Sequence, residues 1–110
     1  MSPMFLGGLT ARAMQLKARL SKENIHIQET YPAALARHLD LKELSYKKEK
    51  EKISLILEKL NAQFSDLPIS ILNLTNWHQV DALLALISAW RFVHNQHEEF
   101  GDFKEGLIVY

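Results

Sequence analysis

Residues 82–89 carry no charge and a single polar side chain, Ser88. They form the middle of a helical pattern that Thr75 or Asn76 can cap and that continues to about Asn95. A helix apolar on nearly every side does not lie on a surface; it needs a sheet or neighbouring helices against it. Strand material is scarce. Residues 25–29, Ile-His-Ile-Gln-Glu, alternate apolar and polar as a half-buried strand does, and residues 106–110 end the chain as a second strand. Two strands alone are marginal in water. The pattern therefore calls for a third, from the apolar segment 69–74 or from a partner chain.

The remaining pattern is helical. Ala13, Leu16 and Leu20 fall at helical spacing in a segment from Thr10 to about Lys22. Tyr31-Pro32 stops the first strand, because proline cannot donate to a ladder but opens a helix well. A short helix over 33–39 follows. Ser45 is the expected cap of a long helix reaching Phe64, with Ile53, Ile56, Leu57, Leu60 and Phe64 along one stripe. Residues 96–104 read as a charged loop. The expected fold is a single, helix-rich α/β domain over 1–110 with two or three strands.

Thirteen Lys and Arg balance thirteen Asp and Glu, so overall charge attracts neither nucleic acid nor a membrane; only a local patch can. The absence of cysteine excludes a disulfide framework, a thiolate nucleophile and Cys-based zinc sites, and suits a reducing compartment. The first residues lack the basic region of a signal peptide, and the longest apolar run is far below the ~20 residues of a membrane span. A cytoplasmic protein with no membrane partner is the expectation.

Two acids stand in unexpected places. Glu29 shares strand parity with Ile25 and Ile27, which points it to the buried face. It also lies at the carboxyl end of the strand, where open α/β sheets bind ligands. The plain alternative is a strand that has ended and a solvated carboxylate. Asp81 is the one charged residue between Trp77 and Trp90. A carboxylate buried there needs a partner: a metal ion, a basic side chain or the positive end of its own helix. A strand-end acid facing a helix acid is a simple way to hold Mg²⁺, which takes oxygen ligands and keeps several waters.

Glu29-Thr30-Tyr31-Pro32-Ala33-Ala34, Tyr46-Lys47, Asp81-Ala82-Leu83-Leu84-Ala85-Leu86 and Glu105-Gly106-Leu107-Ile108 occur in an order that resembles the C-terminal half of the family known as domain of unknown function 429. Its members are predicted ribonuclease-H-like nucleases. The Asp-Ala-Leu-Leu-Ala pattern is also similar to the last metal-binding helix of bacterial Holliday-junction resolvases. The resemblance covers the chain from about Leu9 onward. It implies that Glu29 is the acid ending the fourth strand and Asp81 the acid on the final helix. Together they would bind Mg²⁺ for phosphodiester cleavage, with His78 one turn before Asp81 positioning the water. Such domains begin with three strands, the first carrying an aspartate, and none of residues 1–9 is acidic. The expected fold is thus a truncated ribonuclease-H-like half-domain, inactive or incomplete alone.

If that fold is kept, Glu29 and Asp81 converge, with oxygens on the order of 4–5 Å apart around a shared ion. Without metal, one of them holds a proton or takes Lys47 as counter-ion. Lys47 and Lys48, in a run of alternating charge, are candidate phosphate contacts, although such runs are usually solvated faces. His94, His97 and Glu98 approach metal-ligand spacing but straddle a helix end, and Arg12, Lys17 and Arg19 decorate one helix without interleaved aromatics. An incomplete sheet predicts a homo-oligomer or a complementary N-terminal fragment as partner. A nuclease acting on nucleic acid is the leading function. A non-catalytic interaction or oligomerisation module is the alternative.

Overall fold

Asn24 ends the first helix, α1 (Gly7–Ser21), by entering the left-handed region at φ 61°, while the Glu23, Asn24 and Ile25 amides bond back to the Leu20 and Ser21 carbonyls. Asparagine tolerates that conformation and so can close a helix as glycine does. The computed structural model describes residues 7–102 and 106–110. From Ile25 the chain runs extended but unpaired, and only Glu29–Thr30 form a strand, β1. The five-residue strand expected there is cut short because its first residues meet no neighbouring strand among the described residues, and Ile25 is left 45% exposed. Tyr31 is extended, and Pro32 sits in the first turn of α2 (Pro32–His38).

The long helix expected from Ser45 does not start there. The helix α3 (Ile53–Gln63) begins eight residues later, after tight 3₁₀ turns at Leu41–Leu44 and Lys50–Lys52. Asp40, Ser45 and Lys47 all adopt positive φ, at 58°, 57° and 62°. A residue in the left-handed region cannot propagate a right-handed helix. What outweighs helix propensity is burial of Tyr46, whose ring enters the core only because the chain turns on either side of it. The expected stripe of α3 is present: Ile53, Ile56 and Leu60 are buried, with Phe64 just beyond.

Segment 69–74 supplies no strand. Ile69–Ile71 is a 3₁₀ turn that buries Ile69 and exposes Ile71. The last helix, α4 (Trp77–Val93), is capped by Asn76, whose side-chain oxygen accepts the Gln79 amide at 2.9 Å. Gln79 in turn accepts the Thr75 amide at 2.7 Å. Val80, Leu83, Leu84, Ile87 and Ser88 are buried, and α4 packs on α2. Its opposite flank is open, with Leu86 at 53% exposure, so an all-apolar sequence did not bring all-round burial.

The third strand comes from the segment expected to be a charged loop. Glu99–Asp102 forms β2, which pairs antiparallel with β3 (Gly106–Val109), Phe100 opposite Ile108. β1 pairs with β3 in parallel, Glu29 opposite Ile108 and Thr30 opposite Val109. The order among the described residues is β1-β3-β2. Gly101 has φ 98°, and a Cβ there would meet the Gly106 carbonyl oxygen at 2.3 Å, so the close approach of these two strands needs glycine. The result is a small mixed α/β domain, rich in helix. No described helix is long and apolar enough to cross a membrane.

Candidate functional site

Asp81 lies in the second turn of α4, above the turn that carries Tyr46 and Lys47. The Tyr46 hydroxyl donates to one Asp81 oxygen, and the Lys47 ammonium lies 2.8 Å from the other. The partners are therefore a basic side chain and a phenol from another segment, not the first amides of the helix. Trp77, one turn earlier on α4, meets the Tyr46 ring edge-on, with centroids 5.6 Å apart. Tyr46 is 8% exposed. Burial, then the hydrogen bond and charge of Asp81, push its phenol well above the usual range. The Lys47 side chain is half in water, at 50% exposure, against 22% for Asp81. Positive φ at Ser45 and Lys47 aims both side chains of this corner at α4.

Glu29 is elsewhere. Gln28 and Thr30 turn toward α4 and line one cleft with Ala85 and Ser88. Glu29, one residue out of phase, projects from the other side of the sheet and is exposed. Its carboxylate lies over Gly106, where a Cβ would come within 3.8 Å of Oε2. The expectation of a buried-face Glu29 is thus corrected: it keeps the parity of Ile25 and Ile27, but the face that turns toward α4 is the other one, carrying His26, Gln28 and Thr30, with Gln28 fixed by donating to the Leu107 carbonyl. Among the described residues no hydrogen bond or ion pair joins Glu29 to Asp81. An ammonium stands beside the Asp81 carboxylate, and Glu29 projects from the other side of the sheet.

The other candidates are also separate. His78 is exposed on the first turn of α4. Lys47 is committed to Asp81, which leaves Lys48 as the solvated member of the expected phosphate pair. His94 stacks on Trp90 with its Nδ1 2.7 Å from that residue's carbonyl, whereas His97 pairs with Glu99, not Glu98, at 3.0 Å. No group of three His, Cys, Asp or Glu side chains suited to a metal occurs among the described residues.

A buried charge has almost no signature in the sequence. Arg91, 6% exposed, donates Nε and Nη2 to the Gln96 carbonyl and Nη2 to His38 Nε2 at 3.2 Å. Burial lowers its pKa, with Glu98 and Tyr110 opposing. Only its place after a run of apolar helix hinted at this. Tyr46 as partner of Asp81 had no local signal, being 35 residues away. Comparison with protein-family models, with curated proteins and with solved structures finds no match for this chain.

Proposed function

We propose that this chain is a ribonuclease-H-like half-domain, similar to the C-terminal half of the domain of unknown function 429 family, that does not cleave nucleic acid by itself and works as an interaction module. The observation that carries this reading is the engagement of both Asp81 oxygens by Tyr46 and Lys47. An acid tied to a phenol and an ammonium holds a loop to a helix. Each of its oxygens already has a partner, and the ammonium beside it opposes a divalent ion there. The position of Glu29 on the other side of the sheet adds to this. The half-domain part is supported by β1, which pairs in parallel with β3 on one side and with no described strand on the other. Parallel strands normally belong to larger, covered sheets. Apolar side chains left at the surface, Phe100 at 70% and Val93 at 74%, favour a binding role.

The test is a Mg²⁺ titration by calorimetry with cleavage assays on duplex DNA, single-stranded DNA and RNA. The expected result is neither binding heat nor cleavage. Mg²⁺-dependent cleavage abolished by Asp81→Asn would overturn the reading in favour of the nuclease. Recovery of cleavage on adding a complementary strand-bearing fragment would support the half-domain and overturn its role as a module without activity.

A further inference from the structure

The first 22 residues contain Arg12, Lys17, Arg19 and Lys22 and no acid, so the rest of the chain holds nine basic against thirteen acidic residues. The neutral total hides a cationic helix joined to an anionic body. On α1 the side chains of Arg12 and of residues 14–19 are all exposed, including Met14 at 66% and Leu16 at 52%. Leu16 and Leu20 lie four apart on one side, flanked by Arg12 and Arg19 on one edge and Lys17 on the other. On that side Leu16 is exposed and Leu20 half-buried.

The body carries a surface of the complementary kind. Between β1 and α4 lies a cleft of about 350 Å³, walled by Gln28 and Thr30 on one side and by Ala85, Ser88, Phe92 and Val93 on the other. Two hydroxyls in it, Thr30 Oγ1 and Ser88 Oγ, are buried without a hydrogen-bond partner among the described residues, and Ser88 is only 1% exposed. At one end Phe92 packs on His97, with ring centroids 4.8 Å apart, and His97 holds Glu99. Exposed Glu98 and Glu99 thereby make that end acidic, beside exposed Val93.

We propose that a second copy of this chain is the occupant, each copy laying its basic helix α1 along the β1–α4 cleft of the other, with Arg12, Lys17 and Arg19 against the acidic end. Charge complementarity selects the second copy. A bilayer would supply anions to α1 but leave the cleft unfilled, whereas reciprocal exchange matches both surfaces and closes as a two-fold dimer. A 15-residue helix is ~22 Å long, and reciprocal exchange uses two such arms. The proposal deepens the interaction-module reading and rests on it.

Light scattering and sedimentation on the full chain at about 5–100 µM, the range of ordinary association, test it. Wild type is expected to be a dimer. Arg12→Glu/Lys17→Glu/Arg19→Glu, and separately Glu98→Lys/Glu99→Lys, should each weaken dimerisation roughly 100-fold, since like charges then face each other. An equimolar mixture of the two variants should restore the dimer, because both of its contacts become complementary again. Ala89→Trp, which fills the cleft without touching charge, should also dissociate it. Circular dichroism on each variant confirms that the fold is kept. A wild-type monomer at 100 µM overturns the proposal, as does a monomer that binds phosphatidylserine vesicles through α1. A dimer indifferent to all three variants removes the arm exchange but leaves the module reading standing. A monomer that cleaves nucleic acid with Mg²⁺ removes both.

Discussion

If Asp81 is a structural clasp and not a spare metal ligand, Tyr46 and Asp81 must be energetically coupled. A phenol donating to a charged acceptor contributes about 1.5–3 kcal/mol, and the 22% exposure of Asp81 lets water replace part of that. Tyr46→Phe should therefore cost about 1.5 kcal/mol, at the lower end. The Lys47–Asp81 pair, half in water on the lysine side, adds at most ~1 kcal/mol. Asp81→Asn keeps an acceptor for Tyr46 but weakens it and loses the ion pair, for a cost of about 1–2 kcal/mol. In the double variant the shared hydrogen bond is lost only once. The two effects should then fall short of additivity by about 1 kcal/mol. Urea unfolding of the four proteins, followed by circular dichroism, measures this cycle. A coupling below ~0.3 kcal/mol, the usual error of additivity, refutes the clasp. So does stabilisation by Asp81→Asn, the behaviour of an acid kept for function at the expense of the fold.

Three further outcomes follow from the same geometry. Tyr46 holds its proton in the fold well above its ordinary pKa, so above about pH 10 the unfolded chain releases a proton that the native state retains. The stability this contributes is full below that pH and is lost as pH rises; unfolding between pH 8 and 11.5 should show a decline that Tyr46→Phe makes shallower. Gly101→Ala should cost more than ~2 kcal/mol in thermal unfolding, because φ 98° is strained for alanine and its Cβ would strike the Gly106 carbonyl; a cost under 0.5 kcal/mol would contradict the β2–β3 register. Lys47→Gly should be about 1 kcal/mol more stable than Lys47→Ala, since both lose the ion pair but only glycine relieves φ 62°; equal stabilities would mean that the corner is not left-handed.

Local chemistry was enough to mark the elements whose cause is local. Pro32 after an extended Tyr31, the stripe Ile53, Ile56, Leu60 and the Asn76 cap each follow from one or two turns of chain, and the structure has all three. The oddness of Asp81 was equally visible, and so was Lys47 as a counter-ion for a metal-free acid, because a lone acid in an apolar helix demands a partner wherever that partner lies. What the local pattern could not reveal were choices made by distant residues. Glu99–Asp102 is a strand because β3 offers it a ladder, not because its residues prefer one. Residues 45–49 leave the helical path because Tyr46 gains more from the core and Asp81 than a further helical turn would return. Glu29 faces away from α4 because alternation fixes only that it shares a side with Ile25 and Ile27; which side meets α4 is set by how β1 docks on β3. Propensity and periodicity are short-range quantities; register, parity and the partner of a buried charge are decided by what lies across the fold.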